Sequence, residues 1–363
     1  MSTVGDIVRW NARRYPNKLG IVFEDIRLTW KEVNTRVNKL AHALIDRGMN
    51  KGDKVAILKM NSNYYLELIF GLAKTGLLSV PLNYRLSEKE LIYIINDSEA
   101  KVLVVSQDFF NVVGKIKEQL KGIQRFIGIG KNIPDYMETY EEMIKDYPEE
   151  EPDIEVGEED LFNLIYTSGT TGLPKGVIRD HRSVEVNTFH LLLADREASS
   201  QDIILTCFPF SSLGTYGFDL GFSYIGCTQV ILKRFDPLSF LQIVEKERIT
   251  STVLAPTMIN MILSHPDFDK YDLSSLRAIA YGASPMPPEL LRKALKLLSC
   301  RFFQLYGSTE TFWGTSLSPE DHVLEGDEKQ QKRLNSAGKE PVSYTHLRAH
   351  ETSLHLVCRL LLE

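Results

Sequence analysis

The chain has 363 residues, 43% of them hydrophobic and 25% charged, which is the ordinary range of a globular protein with one or two cores. Its 42 basic and 48 acidic side chains give a net charge of -6, so composition provides no general attraction to nucleic acid or anionic lipid. A nucleic-acid partner is therefore not predicted, and any anion must be bound by a local arrangement of residues.

The first residues and the cysteines bear on the compartment. Residues 1–6 lack the basic-then-apolar order of a signal peptide, and no apolar run reaches the roughly 18 residues of a membrane span. A cytoplasmic protein is predicted, while peripheral membrane contact and a homodimer stay open. The cysteines lie far apart without CxxC spacing or a histidine cluster, so we predict buried reduced thiols rather than a zinc site or disulfides at Cys207, Cys227, Cys300 and Cys358.

Short apolar runs alternate with helical stretches along the chain. The runs predicted to be buried strands lie at 55–58, 102–105, 126–129, 203–205, 230–232, 252–254 and 278–280. Stretches 31–47 and 287–298 repeat apolar side chains at helical spacing. This alternation predicts mostly parallel sheets covered by helices, and the strands after about residue 200 need not join the same sheet as those before it. The acidic, proline-containing segment 147–160 is predicted to be a solvated connector.

The stretch IYTSGTTGLPKGV, residues 165–177, concentrates glycine and hydroxyl side chains between two apolar runs. Glycines let backbone N–H groups approach a ligand, serine and threonine add hydroxyl donors, and Lys175 adds a mobile cation. This set of groups suits a polyphosphate, with an ordinary solvent loop as the alternative. The spacing is neither that of a Walker A loop nor G-x-G-x-x-G, so the loop belongs to neither of those types.

The whole string matches, residue for residue, the phosphate-loop signature of the AMP-forming adenylating enzymes. On it the chain resembles this superfamily of acyl-CoA synthetases, firefly luciferases and nonribosomal-peptide adenylation domains. Residues 304–310, QLYGSTE, resemble the family's Y-G-x-T-E motif, in which tyrosine lies against adenine, threonine approaches the α-phosphate and glutamate holds magnesium. Residues 281–285, YGASP, resemble the small-residue segment on the other side of adenine, with a plain strand-to-helix turn as the alternative. The resemblance covers about residues 1–341.

The resemblance implies a set of site residues. Lys175, Thr167 and Glu310 would be catalytic, and Thr167 and Glu310 would also bind Mg²⁺, which prefers hard oxygen ligands. The alternatives are a solvated loop lysine for Lys175 and a surface carboxylate that caps a helix for Glu310. The implied nucleotide-binding residues are Thr167, Ser168, Gly169, Thr170, Thr171, Gly172, Lys175, Gly282, Ala283, Ser284, Gln304, Tyr306, Gly307, Ser308 and Thr309.

The acid-binding region implied by the resemblance lies near residues 209–218. Substrate contacts are assigned to Ser212, Gly214 and Gly217, and Ser212 stands where many relatives carry a histidine, which leaves the acid specificity open. These glycines, with Gly221 and nearby aromatic residues, could floor an acyl tunnel, and a plain core role for the aromatic residues is the alternative. A medium- or long-chain fatty acid is the first expectation, followed by an aryl acid.

The resemblance also implies an α/β fold, the large N-terminal domain of the adenylating enzymes. Helix-covered, mostly parallel sheets would form two subdomains, followed by an incomplete third barrel subdomain. Residues 1–341 would make up this AMP-binding domain, incomplete at its C-terminal end. Residues 342–363 are compositionally different and are predicted to be a non-native tail, with a genuine C-terminal helix as the alternative. The family's small C-terminal domain is not located here, so a fragment of low activity is expected.

The implied function is that of an acyl-CoA synthetase. Such an enzyme uses ATP and Mg²⁺ to convert a carboxylic acid into an acyl adenylate and then transfers the acyl group to CoA. Positioning and charge neutralisation dominate catalysis in chemistry of this kind. The alternatives are an adenylation module that loads a carrier-protein thiol, an aryl-acid CoA ligase, and a nucleotide-binding remnant without enzymatic activity.

Overall fold

The computed structural model describes residues 3–167, 172–323 and 327–340. The predicted nucleotide-binding residues Ser168, Gly169, Thr170 and Thr171 lie outside the described residues, as does the predicted tail at 342–363. The incomplete third subdomain expected towards the C-terminal end stays a prediction. Within the described ranges, strands and helices alternate along most of the chain.

The elements are short and regular. The helices are α1 (Val4–Arg14), α2 (Trp30–Asp46), α3 (Asn63–Thr75), α4 (Glu88–Asp97), α5 (Phe110–Ile116), α6 (Tyr140–Ile144), α7 (His181–Ala194), α8 (Leu213–Tyr224), α9 (Pro237–Glu247), α10 (Pro256–Leu263), α11 (Pro288–Leu297) and α12 (Glu328–Arg333). The strands are β1 (Leu19–Phe23), β2 (Ile26–Thr29), β3 (Lys54–Leu58), β4 (Leu78–Pro81), β5 (Val102–Ser106), β6 (Arg125–Ile129), β7 (Glu138–Thr139), β8 (Leu161–Thr167), β9 (Lys175–Asp180), β10 (Ile203–Thr206), β11 (Thr228–Ile231), β12 (Ser251–Leu254), β13 (Ala278–Gly282), β14 (Arg301–Ser308) and β15 (Phe312–Leu317).

Two sheets organise the described strands. Sheet 1 has the order β15-β14-β13-β12-β10-β11-β1-β2 and is parallel except at its two edges, where β1 and β2, and β14 and β15, pair antiparallel. Sheet 2 has the order β7-β6-β5-β3-β4-β8-β9, and its antiparallel pair is β8 with β9. The prediction of an α/β fold with mostly parallel sheets is confirmed. All described strands after residue 200 join sheet 1, together with β1 and β2, whereas sheet 2 contains only strands that precede residue 200.

The buried side chains form layers. One core lies between the sheets and takes residues from α1, α2, α3 and α8 as well as from both sheets. A second core covers the other face of sheet 1 beneath α9, α10 and α11, and a third covers the other face of sheet 2 beneath α4 and α5. Because successive residues of a strand point to opposite faces, Ile204 belongs to the first core and Leu205 to the second. Helices therefore cover both faces of both sheets.

Most local predictions are confirmed. Each predicted strand is present with bounds shifted by at most two residues, and the described cysteines, Cys207, Cys227 and Cys300, are free. Segment 147–160 contains neither helix nor strand, as predicted. It is not fully solvated, however, because Glu151 pairs with Lys74, whose side chain is only 5% exposed. Burial lowers the pKa of Lys74 to about 8, and the partner carboxylate opposes that shift.

An ion-pair network holds together the amino ends of the sheet 1 strands. Arg277, just before β13, donates to both oxygens of Asp195 at 2.6 and 2.7 Å, and to both oxygens of Asp202 at 3.0 Å. Arg301, at the start of β14, donates to Asp195 at 2.9 Å. The side chain of Asp195 is fully buried and that of Asp202 is 4% exposed, so neither carboxylate is solvated well by water. The network fixes the amino-terminal ends of these strands. The sequence motifs of sheet 1 lie at the opposite, carboxyl-terminal ends.

Replacing Arg277 should therefore destabilise the fold strongly. Arg277→Met keeps the aliphatic stem but leaves two buried carboxylates with one arginine, and the free energy of unfolding should fall by about 3 kcal/mol or more. The matched control is Arg292→Met, because Arg292 pairs with Glu289 at 2.6 Å on the helix surface and its loss should cost about 1 kcal/mol at most. Urea unfolding measures both values. Equal losses in the two variants would contradict the structural role of the network.

Candidate active site

The strands on either side of the phosphate loop pair at the edge of sheet 2. In the antiparallel pair of β8 and β9, Thr167 lies directly opposite Lys175, so these two predicted site residues are cross-strand neighbours. Lys175 is exposed and Thr167 is half-buried. Gly172 has φ 127°, a conformation that residues with a side chain rarely adopt, although a Cβ there would meet nothing within 4 Å. The glycine is therefore required by its backbone angle rather than by crowding.

The Y-G-x-T-E motif forms the opposite hairpin. Strand β14 ends at Ser308, strand β15 begins at Phe312, and Glu310 is exposed on the short turn between them. The pairing register shifts at Gly307, where a Cβ would lie 1.5 Å from the carbonyl oxygen of Phe312. Phe312 itself has φ 61°, which is a strained conformation for a bulky residue. The turn therefore depends on glycine at 307 and presents Glu310 to solvent.

The small-residue segment follows β13, the parallel neighbour of β14. Gly282 pairs with Leu305, and a Cβ on Gly282 would lie 2.3 Å from the carbonyl oxygen of Leu305. Ala283 has φ 66°, so a second strained residue lies at this strand end. Ser284 lines an open groove of about 640 Å³ together with residues of α10 and α11. The segment connects β13 to α11, next to the strand that leads into the turn of Glu310, and its role beside adenine stays a prediction.

A buried tyrosine–histidine pair supports the end of β13 from its outer face. Tyr281 Oη lies 3.0 Å from His322 Nε2, and His322 Nδ1 lies 2.8 Å from the carbonyl oxygen of Ser318. Because a carbonyl oxygen only accepts, Nδ1 carries the proton and Nε2 accepts from the tyrosine hydroxyl. Burial lowers the pKa of His322, which agrees with a neutral ring.

The structure brings the two hairpins into contact. Arg179, on β9, donates to the carbonyl oxygen of Thr309, and its guanidinium carbon lies 4.9 Å from the centre of the Phe312 ring. Arg179 is only 7% exposed, so this contact is shielded from water. The hairpin that carries Thr167 and Lys175 therefore contacts the turn that carries Glu310 through Arg179, four residues after Lys175 on β9. A nucleotide site built from both motifs requires the two hairpins to be neighbours. The individual roles of these residues stay predictions.

The acid-binding candidates lie at the start of α8. Ser212 Oγ lies 3.0 Å from Thr215 Oγ1, and a Cβ on Gly214 would meet nothing within 4 Å. A Cβ on Gly217 would lie 2.5 Å from the ring of Phe312 and 2.6 Å from that of Trp313. The helix therefore packs against the hairpin of Glu310 through Gly217 and has open space at Gly214.

The aromatic residues of α8 do not line that space. Phe218 and Phe222 are fully buried, and their ring centres lie 4.8 Å apart within the core between the two sheets. Tyr224 is 8% exposed and belongs to the same core. The core interpretation of these aromatic residues is supported over the tunnel interpretation.

Asn61 connects the strand ends of the two sheets. It follows β3 of sheet 2, and its side-chain amide donates to the carbonyl oxygens of Phe208 at 2.8 Å and Leu232 at 3.2 Å, which follow β10 and β11 of sheet 1. Its side-chain oxygen accepts from the backbone N–H of Phe210 at 2.9 Å. Asn61 is 3% exposed, and it holds the segment that leads into Ser212.

Sequence reasoning missed both Arg179 and Asn61. The available signal for Arg179 was a charged residue directly after the apolar pair Val177 and Ile178, on a strand that otherwise reads as an ordinary edge. For Asn61 it was an amide immediately beyond a buried strand, at the edge where parallel strands place their functional groups. Both residues act through partners more than a hundred positions away.

Comparison with known proteins identifies the family. The family model for AMP-binding enzymes matches residues 8–350. The chain belongs to the AMP-binding enzymes. The predicted resemblance to the AMP-forming adenylating enzymes is thereby confirmed, whereas the domain end at residue 341 stays a prediction.

Two curated relatives and one solved structure illustrate the similarity of this AMP-binding enzyme. Fatty acid–[acyl-carrier-protein] ligase ScoC of Streptomyces coeruleorubidus is 30% identical over 338 residues, covering 90% of this chain and 62% of that protein. Feruloyl-CoA synthase of Amycolatopsis sp is 32% identical over 337 residues, covering 93% of this chain and 64% of that protein. The inhibitor-bound N-terminal domain of FACL13 from Mycobacterium tuberculosis has a TM-score of 0.85 at 27% identity, covering 94% of this chain and 82% of that chain. The chain thus spans less than two thirds of the length of the two curated relatives.

Two further findings concern membranes and metals. No helix in the described ranges is both long enough and apolar enough to cross a membrane. Among the same residues, no group of three or more His, Cys, Asp or Glu side chains could hold a metal ion on its own. The cytoplasmic location, peripheral membrane contact and homodimer stay predictions.

His181 anchors the phosphate-loop hairpin and should make its stability pH-dependent. It begins α7 directly after β9, and its Nδ1 accepts from the backbone N–H of Val4 at 3.2 Å. Burial lowers the pKa of His181 from 6.5 to about 4. The unfolded chain therefore takes up this proton at a higher pH than the folded chain. The stabilising contribution is complete above about pH 6.5 and is lost as the pH falls towards 4.

The variant His181→Asn tests this effect, because asparagine offers an acceptor in place of Nδ1 but does not titrate. Between pH 7 and pH 4, the fall in the free energy of unfolding should be about 3 kcal/mol smaller in the variant than in the unmodified chain. Urea unfolding across this pH range measures the difference. Parallel pH profiles for the two proteins would show that His181 does not titrate with folding.

Proposed function

We propose that the chain belongs to an ATP-dependent, AMP-forming acid–thiol ligase that converts a carboxylic acid into an acyl adenylate and then into a thioester. The observation that carries this proposal is the contact between the two motif hairpins through Arg179 and Thr309. It joins the hairpin that carries the glycine-rich, hydroxyl-rich loop to the turn that presents the exposed carboxylate of Glu310. Membership of the AMP-binding enzymes supports the same reaction class.

The first step balances as a substitution at phosphorus. A carboxylate oxygen of the acid attacks the α-phosphorus of ATP, the P–O bond to the β-phosphate breaks, and pyrophosphate leaves. In this proposal Lys175 and the loop hydroxyls hold the β- and γ-phosphates, while Thr309 approaches the α-phosphate. Fixed donors of this kind offset charge as it develops, which is a main source of rate acceleration in phosphoryl chemistry.

The residues present fit a magnesium ion that arrives with the nucleotide. Mg²⁺ is usually held by one or two carboxylates together with substrate phosphates and water, rather than by a cage made only of protein. Glu310 is an exposed carboxylate on its turn, and the described residues contain no acidic cluster that would bind a metal alone. Glu310 and the hydroxyl of Thr167 would hold the ion, whose positive charge favours the triphosphate oxygens.

The second step transfers the acyl group to a thiol. The thiolate sulfur attacks the acyl carbon, the bond to AMP breaks, and AMP leaves with the electron pair. We propose CoA as the thiol. A carrier-protein thiol is the second candidate, because the relative ScoC is named for an acyl-carrier-protein acceptor.

A medium- or long-chain fatty acid is the proposed substrate, with an aryl acid as the alternative. The open space at Gly214 supports an acid site at the start of α8, where a side chain would otherwise project. The names of the relatives include both a fatty-acid ligase and a feruloyl-CoA synthase. The presence of serine rather than histidine at Ser212 leaves a small hydroxyl at this wall.

Nucleotide binding by the 363-residue chain tests the site directly. Isothermal titration with ATP and Mg²⁺ should show that Lys175→Met weakens binding about tenfold or more, because a charge-assisted hydrogen bond to phosphate is lost. Glu310→Gln should weaken binding only when Mg²⁺ is present. Lys296→Met and Glu142→Gln, which change exposed residues on α11 and α6 away from the hairpins, are the controls. Unchanged affinity in Lys175→Met and Glu310→Gln would refute the proposed site.

Product analysis then shows which thiol accepts the acyl group and which class of acid is activated. The chain is incubated with ATP, Mg²⁺ and either decanoate or ferulate, with CoA or a phosphopantetheine-bearing carrier protein as the thiol. We expect decanoyl-CoA as the main thioester, measured by mass spectrometry. Acylation of the carrier protein in preference to CoA would favour the second candidate. Acid-dependent exchange of pyrophosphate into ATP, measured in parallel, tests the expected low activity of this chain.

A further inference from the structure

We propose that Arg179 is a positioning residue, which fixes the turn of Glu310 relative to the phosphate-loop hairpin and acts on the nucleotide through that carboxylate. The inference rests on the proposed function, because it assumes that Lys175 and Glu310 bind the same Mg²⁺–ATP. It concerns a residue that the sequence motifs do not include. Its basis is the contact pattern, burial and strand geometry of Arg179.

Arg179 contacts residues on both sides of Glu310. Its guanidinium donates to the carbonyl oxygen of Thr309, the residue before Glu310. The same group lies over the ring of Phe312, two residues after Glu310, at 4.9 Å from the ring centre. A guanidinium is planar and offers several donors, so one side chain can satisfy a carbonyl oxygen and an aromatic face together. The turn of Glu310 is therefore held at both of its ends by one group.

The burial of Arg179 is unusual for its strand. β9 lies at the edge of sheet 2, and its neighbouring residue Ile178 is 54% exposed, whereas Arg179 is 7% exposed. Burying a guanidinium is costly unless it is well paired, so an arginine at this position needs its partners. A leucine or valine would satisfy the packing of such a strand without that cost. The arginine is thus explained by what it contacts rather than by packing alone.

Strand β9 connects the end of the phosphate loop at Lys175 to Arg179, which contacts the turn of Glu310. Lys175 and Arg179 are four residues apart on β9, so their side chains share one face and their Cα atoms lie about 13 Å apart. β9 is paired with β8 from Thr167 opposite Lys175 as far as Asn163 opposite Arg179. A paired strand resists bending, which makes the distance between the loop end and the turn of Glu310 a fixed quantity. Loss of Arg179 would release the turn while leaving the loop in place.

The turn of Glu310 needs such support because its own backbone is strained. Phe312 has φ 61°, and Gly307 tolerates no Cβ. Residues in sparsely populated backbone conformations persist only when their surroundings hold them. Without the contact from Arg179, Phe312 can relax, and Glu310 then moves away from the position that a metal shared with the nucleotide requires.

The experiment measures nucleotide affinity of the 363-residue chain with and without Mg²⁺, using isothermal titration with ATP. In Arg179→Met we expect the Mg²⁺-dependent gain in affinity to fall about tenfold, within the usual range of couplings between contacting residues. Binding of ATP without Mg²⁺ should stay close to that of the unmodified chain. Arg179→Lys, which retains one cationic donor, should recover part of the gain. Arg182→Met removes an exposed arginine on neighbouring α7 and should change nothing.

A double-mutant cycle separates positioning from plain stability. If Arg179 acts through Glu310, then Arg179→Met should have no further effect on Mg²⁺–ATP affinity in a chain that already carries Glu310→Gln. Additive losses, or an unchanged Mg²⁺-dependent gain in Arg179→Met, would overturn the inference even if that variant unfolds more easily. Two other results would refute the proposed function instead. They are an absence of ATP binding by the unmodified chain, and an absence of any effect of Glu310→Gln by itself.

Discussion

Two parallel sheets can build one site only if the carboxyl ends of their strands are held face to face, and Asn61 imposes that constraint here. Its amide links the end of β3 in sheet 2 to the ends of β10 and β11 in sheet 1 through Phe208 and Leu232. At 3% exposure, an amide with these three hydrogen bonds has no equivalent replacement from water. The phosphate loop, the small-residue segment and the Y-G-x-T-E motif all lie at or directly after carboxyl-terminal strand ends. The distances between them therefore depend on how the strand ends of the two sheets are held together. Arg179 provides a second link between the sheets, at a position of β9 opposite Asn163 and away from the loop end of that strand.

The strain in the site follows from this arrangement. With the two edges fixed, the chain must turn sharply after β13 and between β14 and β15 to bring both segments towards the loop hairpin. Gly282 and Gly307 permit the close approach of neighbouring carbonyl oxygens, and Ala283 and Phe312 adopt positive φ in spite of their side chains. Such conformations cost free energy that the rest of the fold must supply. The buried ion pairs of Arg277 stabilise the opposite, amino-terminal ends of the sheet 1 strands.

Sequence reasoning could predict what is local. Seven of the fifteen described strands were visible as apolar runs, and the loop at 165–177 and the motif at 304–310 carry their chemistry in adjacent residues. Arg179 and Asn61 were not predictable, because their meaning lies in partners 130 and 147 positions away and a single charged or amide residue has no distinguishing pattern. The connector at 147–160 was predicted correctly as irregular, but the burial of Glu151 was not predictable for the same reason, because α2 and α3 bring the buried Lys74 beside it. The general lesson is that periodicity predicts elements, whereas contacts between elements decide which polar residues are structural.

The ring of Phe312 connects the acid side of the site to the nucleotide side. The guanidinium of Arg179 lies over the ring, and Gly217 of α8 packs so closely against it that a Cβ would come within 2.5 Å. The wall that would meet the acid and the turn that would hold the metal therefore share one aromatic side chain. A side chain at position 217 would displace Phe312 and with it the turn of Glu310, so on the proposed function changes that widen or narrow the acid site would also alter nucleotide binding. At Gly214 a Cβ meets nothing within 4 Å, so on the same proposal acid specificity would change there without this coupling.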